Sequence, residues 1–279
     1  MDRIARMKVW NVDLGLAVHV QAPNGKHIVV DLGSSSSVSP LSALWLRPIE
    51  YLVITHPHQD HISDINNIIF RKPNILWHAN AYTKAELLAL SNTPTMKQYI
   101  ALCEGYGGAL QPQNDPANGI LFHGMTVRTF QATKCDKSII NNTSAVVVAQ
   151  LGTAKVVICG DNQKESLREL MQDPEFVAAA QGALILVAPH HGRETGYLEE
   201  FVRKVSPLIT IISDTAKGET SVADKYSNLS IGYGVFDGQT REMTQRKCLT
   251  TRNDGNIEVI FGYDDRNSNR LLQVTRRAN

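Results

Sequence analysis

Short apolar runs that end at polar or turn-forming residues recur along the chain and set its predicted organisation. Examples are Tyr51-Leu52-Val53-Ile54, Lys155-Val156-Val157-Ile158 and Leu184-Ile185-Leu186-Val187. Runs of this length between turn residues are typical of buried strands. Segments with helical spacing lie between them, such as the one opened by the capping box Thr83-Lys84-Ala85-Glu86. The pattern predicts an α/β (α+β) chain in which helices cover two sheets.

The individual elements follow from the same pattern. The predicted strands cover residues 16–22, 26–32, 51–54, 75–78, two segments within 120–131, then 144–151, 154–159, 183–188, 208–213, 232–236, 246–251, 256–262 and 270–275. The predicted helices cover residues 62–70, a segment that starts near 83, then 96–106, 163–172, 195–204 and 222–229. Pro23-Asn24-Gly25 predicts a hairpin turn, and the Pro/Asn/Gly-rich stretch 111–119 predicts a surface loop.

Length, charge and cysteine content narrow the class of protein. The 279 residues suffice for a sizeable core, and we assign 1–279 to a single domain. The net charge of +1 does not indicate a strongly basic nucleic-acid binder. The four cysteines form no Cys-x-x-Cys pair, and no apolar run approaches the roughly 18 residues of a membrane helix. We therefore expect a cytoplasmic protein with reduced thiols and no membrane partner.

The stretch Thr55-His56-Pro57-His58-Gln59-Asp60-His61 directly follows the apolar run 51–54. It supplies four side chains of the kinds that bind Zn, Mn or Fe, namely His56, His58, Asp60 and His61. Pro57 opposes helix formation, so we expect a rigid loop at the end of a strand. The alternative interpretation is a solvated, histidine-rich turn. A rigid loop favours metal binding because its side chains need not share one helical face.

This His-x-His-x-Asp-His sequence resembles the metal-binding motif of the metallo-β-lactamase-fold hydrolases. Asp31 closes an earlier apolar run, as in the first motif of that family. Cys159-Gly160-Asp161 resembles the family's strand that ends in Gly-Asp. Ala188-Pro189-His190-His191-Gly192, together with Asn141-Asn142-Thr143-Ser144, resembles the branch that includes the hydrolase domain of ComEC-type DNA-uptake proteins. The resemblance covers roughly residues 8 to 263.

The resemblance implies an αββα four-layer sandwich and a site for one or two divalent metal ions. It assigns His56 and His58 to one ion, Asp60 and His61 to the other, and a bridging role to Asp161. Zn is the first expectation, with Mn or Mg as alternatives. A different interpretation of Asp161 is an N-cap for the helix predicted near residue 163.

His190 and His191 form a further pair of candidate site residues. Neighbouring side chains on an extended chain point to opposite sides, so we expect only one of the two to face the ions fully. We assign catalytic roles to Asp60 and His190, with His190 as a proton donor, and place His191 among the metal ligands. The sequence leaves open which of the two histidines faces the site.

Two histidines of the family pattern are missing. The matching place after Phe130, residues 131–136, contains no histidine, and Cys135 or Asp136 is a candidate replacement. After the predicted strand 208–213, Asp214 stands where the family has its last histidine. Each of these residues has an ordinary loop or turn role as its alternative. Their loss shifts the site toward oxygen ligands, which favours Mn or Mg or leaves one ion tightly held.

The resemblance implies a metal-dependent hydrolase, and its His-His-Gly branch favours a phosphodiesterase or nuclease that acts through a metal-bound hydroxide. We expect a nucleotide or short nucleic-acid substrate, since the near-zero net charge argues against tight binding of long duplex DNA. A lactone or thioester hydrolase is the enzymatic alternative, and a non-catalytic module with a depleted site is the other. The sequence does not define the oligomeric state.

Overall fold

The computed structural model describes residues 2–44, 47–68, 71–215, 220–264 and 269–277. Strands in these ranges form two sheets. In chain order they are β1 (Asp2–Val9), β2 (Val18–Gln21), β3 (His27–Val30), β4 (Ile49–Ile54), β5 (Ile75–His78), β6 (Met125–Gln131), β7 (Ala145–Leu151), β8 (Ala154–Ile158), β9 (Ile185–Val187), β10 (Ile209–Ile212), β11 (Tyr233–Asp237), β12 (Met243–Arg246), β13 (Cys248–Thr250), β14 (Asn256–Asp264) and β15 (Arg270–Arg277).

The α-helices of the same ranges are mostly short. They are α1 (Pro40–Ala43), α2 (Gln59–Ile62), α3 (Lys84–Leu90), α4 (Pro94–Glu104), α5 (Lys164–Leu170), α6 (Pro174–Ala180), α7 (Glu199–Val205), α8 (Ala223–Leu229) and α9 (Thr251–Asp254). The capping box predicted at Thr83 is present at the start of α3.

The larger sheet has nine strands in the order β12-β11-β15-β14-β1-β2-β3-β4-β5, and the smaller has six in the order β13-β10-β9-β8-β7-β6. Parallel pairs join β3 to β4 and β4 to β5, and another parallel set contains β8, β9, β10 and β13. The carboxyl ends of parallel strands lie at one edge of a sheet, so the loops after β3, β4, β8, β9 and β10 can meet there.

The main core lies between the two sheets, where alternate residues of each strand point inward. Met7 of β1 and Val259 of β14 belong to the same buried cluster as Val147 of β7 and Ile185 of β9. A second cluster joins the six-stranded sheet to α5–α8 through residues such as Phe176. Apolar residues under α1, α2 and α4 form a third cluster on β3 and β4. Helices therefore cover both sheets, and the predicted αββα sandwich is confirmed.

Some predicted elements differ from the structure. The helix predicted over 62–70 is replaced by α2 and a 3-10 turn at Ile65–Ile68, and its last two residues lie outside the described residues. The first of the two strands predicted within 120–131 is wrong, because Phe122 makes only an isolated bridge to Met125. Strands β1 and β12 and helix α6 were not predicted. The assignment of 1–279 to a single domain stays a prediction.

Candidate metal centre

The loop after β4 carries the first group of site residues. Thr55 to Pro57 have no regular secondary structure, His58 takes the N-cap position of α2, and the helix begins at Gln59. The prediction of a loop throughout this stretch is therefore wrong for Asp60 and His61, which lie on a helical turn. Pro57 lies two residues before the first helical residue. Its fixed φ and its restriction of the preceding residue keep this part of the stretch out of the helix.

Four side chains form the first group, which we name the four-ligand cluster: Asp60, His61, Asp161 and His191. One ligand atom from each lies within 4.8 Å of the others. Asp161 Oδ1 is 3.1 Å from His61 Nε2 and 3.4 Å from His191 Nε2, and His191 Nε2 is 3.3 Å from Asp60 Oδ2. Three of the four residues are buried.

The second group, which we name the three-ligand cluster, contains His56, His58 and Asp161. Asp161 Oδ2 lies 3.8 Å from His56 Nε2, and His56 Nε2 lies 3.0 Å from His58 Nδ1. The two clusters thus use different oxygens of one carboxylate. Asp161 follows Gly160, whose φ of +52° and position against Thr55 leave no room for a side chain. A Cβ there would lie 2.8 Å from the Thr55 side chain, so the backbone can approach the loop after β4 only with glycine.

The donor atoms of the four-ligand cluster fit a divalent cation. His61 Nε2, His191 Nε2 and Asp161 Oδ1 are buried and have no hydrogen-bond partner. Buried polar atoms without partners are costly, and three that converge on one point are stabilised when they share a cation. Imidazole nitrogens and carboxylate oxygens are ligands of Zn²⁺ and Mn²⁺. The atoms of this cluster therefore suit a metal ion.

Charge within the cluster agrees with this fit. Burial opposes ionisation of Asp161, yet the charges of His191 and His61 hold its pKa well below the ordinary value. Burial also opposes protonation of His61, yet Asp161 and Asp31 raise its pKa well above the ordinary value. The carboxylates thus attract positive charge to this point, which is what binding of a cation requires.

Asp31 orients His61 from behind. Its Oδ2 accepts hydrogen bonds from His61 Nδ1 and Thr55 Oγ1, and its Oδ1 accepts one from the Thr55 amide, each at 2.7 Å. The contact with Nδ1 leaves Nε2 free to face the cluster. Asp31 is fully buried at the end of β3 and adopts a left-handed backbone with φ 60°. Such a conformation is costly for aspartate and is maintained here by the surrounding contacts.

His190 and His191 do not lie on an extended chain. Their φ angles are 48° and 54°, and Gly192 continues the left-handed turn with φ 69°. The premise of an extended chain is therefore wrong, although only His191 belongs to a ligand cluster. His191 Nδ1 donates to the Ser213 carbonyl at 3.0 Å, and His190 Nε2 lies 3.9 Å from Asp161 Oδ2.

Two neutral side chains fix the ring of His190. Thr195 Oγ1 lies 2.7 Å from His190 Nδ1, and Asn141 Nδ2 lies 3.1 Å from His190 Nε2. Burial lowers the pKa of His190, Asp161 opposes this effect, and His191 and Arg193 add to it. The ring is therefore held in place next to the clusters and does not belong to either of them.

The candidate replacements for the missing histidines lie elsewhere. Cys135 Sγ donates to Glu169, and Asp136 is bound to Ser138 on the surface. Asp214 is buried and accepts hydrogen bonds from Ser221 and from the Thr215 amide. Among the described residues, none of the three belongs to a potential metal cluster. The N-cap alternative for Asp161 is also wrong, because Gln163 takes the N-cap position of α5.

An open cavity of about 520 Å³ leads to both clusters. Its walls contain Leu14, Ser34, His58, Gln59, Asp60, Ser63, Asn141, Asp161, His190, His191 and Arg193. Ser34, three positions after Asp31, is therefore close to the clusters. Arg193 and Thr195 were not predicted, although both directly follow the His-His-Gly sequence. Asn141 was noted only as part of a family-like segment, and no spacing rule assigns an amide to this position.

The two sheets are covered by helices, and histidines and aspartates gather at the ends of parallel strands. This combination defines a metallohydrolase class of fold. The family model of the metallo-beta-lactamase superfamily matches residues 10–213. The chain belongs to that superfamily. Among described residues, no helix is long and apolar enough to span a membrane.

Individual relatives are distant. ComE operon protein 3 of Bacillus subtilis is 22% identical over 182 residues, which are 65% of this chain and 22% of that protein. The chain therefore spans about a fifth of that relative. The metallo-beta-lactamase fold protein YhfI from Bacillus subtilis aligns with a TM-score of 0.50 and 15% identity, over 82% of this chain and 93% of that one. CmlA, a diiron beta-hydroxylase from Streptomyces venezuelae, aligns with a TM-score of 0.47 and 13% identity, over 76% and 45%. The alignment to YhfI supports the fold alone.

Proposed function

We propose that the protein is a metal-dependent phosphodiesterase that cleaves nucleotides or short nucleic acids. One observation carries the proposal, which is that both oxygens of Asp161 lie next to histidine nitrogens. Oδ1 lies next to His61 and His191, and Oδ2 lies next to His56. A carboxylate shared between two groups of ligands suits a pair of ions, and paired ions are a recurrent device for displacement at phosphorus.

The residues have distinct roles in this proposal. Asp60, His61, Asp161 and His191 would hold one divalent ion, and His56, His58 and Asp161 would hold the other. Zn is the first candidate and Mn or Mg the alternatives, since the ligands mix imidazole with carboxylate. When bound, such ions supply Lewis acidity toward a phosphoryl oxygen and lower the pKa of water.

His190 is the proposed proton carrier. Its Nδ1 faces Thr195 Oγ1, which leaves Nε2 on the cavity side, next to Asn141 and 3.9 Å from Asp161 Oδ2. Because Asn141 Nδ2 is a donor, Nε2 accepts its hydrogen bond here, so the ring could give a proton to a leaving oxygen only after Nε2 has taken one up in place of this contact. Asn141 restricts the ring to this orientation.

Two properties support the substrate class. The similarity to ComE operon protein 3 and the His-His-Gly resemblance to the ComEC-type branch favour nucleic acid as the source of the phosphodiester. The cavity is open to solvent along one side, so part of a longer strand can remain outside it. The net charge of +1 argues against tight binding to long duplex DNA.

One observation favours a second function, a non-catalytic module that kept the fold. The three-ligand cluster has only two histidines and a shared carboxylate, and the described residues offer it no further histidine or cysteine ligand. A site that holds a single ion can still bind a ligand without cleaving it.

The test uses protein stripped of metal and reloaded separately with Zn, Mn and Mg. Bis-p-nitrophenyl phosphate, single-stranded DNA, a cyclic dinucleotide and a simple lactone serve as substrates, and metal content is measured by elemental analysis. We expect diester cleavage that requires added metal. Lactone hydrolysis without any diester cleavage would replace this function by the enzymatic alternative. Metal binding without turnover of any substrate would favour the non-catalytic module.

A further inference from the structure

Arg193 is held rigidly at the entrance to the metal centre by its backbone. Its amide donates to the His190 carbonyl at 2.9 Å, and its carbonyl accepts from Gly196 at 3.0 Å. It also forms an isolated antiparallel bridge with Ser221. These contacts fix the start of the side chain, which lines the same cavity as Asp60 and Asp161. Its position is therefore a property of the fold around the His-His-Gly turn.

Arg193 is the one lysine or arginine among the residues that line this cavity. Its Nε is buried and has no hydrogen-bond partner, and among the described residues no carboxylate forms an ion pair with it. The adjacent Glu194 cannot neutralise it, because its two oxygens bind Lys164 at 3.1 Å and Lys225 at 2.6 Å. Asp60 and Asp161 face the histidines of the clusters.

Arg193 is only partly buried, but a guanidinium whose Nε lacks a partner beside a cation-binding cluster is unfavourable by itself. The buried Nε lacks the partner that water would give it, and a bound metal ion would repel the positive charge. Both costs are offset when an anion lies between the guanidinium and the cluster. Arginine also presents a planar fork of donors that matches two oxygens of a phosphate, which a lysine ammonium does not.

We propose that Arg193 and the metal centre together form an anion subsite that binds the nonbridging oxygens of a phosphodiester. The proposal rests on the proposed function, and it deepens it by naming the residue that selects a charged phosphodiester over a neutral lactone or ester. Arg193 acts as a substrate-binding residue: it contacts the charge that a phosphodiester carries and a neutral ester lacks.

The test compares R193Q and R193K with R203Q. Arg203 lies on α7, pairs with Glu199 and is largely exposed, so R203Q makes the same change in net charge away from the cavity. Binding of inorganic phosphate to the metal-loaded protein is measured by calorimetry. Metal content, KM for bis-p-nitrophenyl phosphate and turnover of neutral p-nitrophenyl acetate are measured on the same samples.

We expect R193Q to keep its metal, to bind phosphate about 10- to 100-fold more weakly, and to raise KM for the diester by a similar factor. R193K should fall between R193Q and the unaltered protein, because it keeps the charge and loses the fork. Neutral ester turnover should not change, and R203Q should match the unaltered protein throughout.

Equal phosphate binding and equal KM in R193Q and R203Q would overturn the subsite. Loss of metal from R193Q would also overturn it, since Arg193 would then support the metal centre itself. If the unaltered protein cleaves no diester but binds phosphate in a way that R193Q abolishes, the proposed function fails while the anion subsite stands.

Discussion

The two ligand clusters share Asp161 but differ in how firmly their other members are held. In the four-ligand cluster, a carboxylate and a carbonyl fix the histidines from behind. Asp31 accepts from His61 at 2.7 Å and the Ser213 carbonyl from His191 at 3.0 Å. Both rings are buried, so neither can leave its position without breaking a buried hydrogen bond.

The three-ligand cluster lacks comparable support. His56 is buried, and its Nδ1 lies 3.2 Å from Thr55 Oγ1, which is a neutral partner. His58 is only partly buried, and its Nδ1 contacts His56 Nε2 instead of an orienting acceptor. Burial lowers the pKa of both imidazoles against the opposing charges of Asp161 and Asp60, so both rings offer neutral nitrogens.

The difference teaches that two sites on one carboxylate need not bind metal equally. Ligand number and outer support both favour the four-ligand cluster, and outer partners typically change metal affinity by about 10–100-fold. We therefore expect one tightly held ion and one that exchanges readily. The absence of two family histidines thus predicts a measurable difference in affinity between the two ions.

Removal of the shared carboxylate should have the largest effect. Asp161→Asn keeps the volume but removes the charge that faces both clusters, so we expect loss of both ions and a fall in rate of at least about 10³-fold. Elemental analysis and steady-state kinetics measure the two effects. Retention of one full equivalent of metal in D161N would show that the clusters do not depend on a common ligand.

The next largest effect should separate the clusters. His191→Ala should weaken the tight ion by at least about 10²-fold, whereas His58→Ala should remove only the exchangeable one. Titration with a chelator distinguishes the two ions by their affinities. His123→Asn is the matched control, because His123 is exposed and has φ 53°, which asparagine tolerates. Equal losses in H191A and H58A would contradict the inequality of the clusters.

Much of this comparison could be predicted from the sequence, because the metal ligands stand in short motifs after apolar runs. The strands β4, β8 and β9 bury continuous apolar stretches, which are the easiest elements to predict. Strand β1 was missed although Ala5, Met7 and Val9 alternate with Arg6 and Lys8. This alternation indicates a strand that is buried on one face only.

The parts of the site that the sequence did not predict depend on contacts that no local pattern encodes. The left-handed turn at His190 and His191 violates the usual preference of non-glycine residues for negative φ, so an extended chain was the natural expectation. Asn141 meets His190 across 49 positions of sequence, and Asp31 meets His61 across 30. Such pairs depend on the way in which the two sheets bring loops together.

A smaller effect should follow from the outer support of the four-ligand cluster. Asp31→Asn keeps the side-chain volume but weakens the hold on His61 Nδ1, so we expect the tight ion to bind about 10–100-fold more weakly. Asp64→Asn is the control, since Asp64 is a buried carboxylate that binds Ser39 and the Leu41 amide outside both clusters. Chelator competition measures the affinity, and circular dichroism checks that both variants fold. The same affinity in D31N and D64N would remove outer support as the cause of the inequality.

The smallest effect concerns a histidine pair outside both clusters, which must be separated from them in any study of acid stability. His19 Nε2 lies 2.7 Å from His27 Nδ1, and burial, followed by the charges of His27 and Arg47, lowers the pKa of His19 to about 3. In the unfolded chain this pKa is about 6.5. As pH falls from about 6.5 toward about 3, His19 is protonated in the unfolded state but stays neutral in the folded state. The stability that this difference contributes is fully present above this pH window and is lost within it.

His19→Gln should therefore lose less stability than the unaltered protein between pH 7 and pH 4, a difference of about 2–4 °C in Tm. Thermal unfolding of metal-free protein at both pH values measures this difference, and identical acid shifts in the two proteins would place the acid sensitivity in the clusters instead.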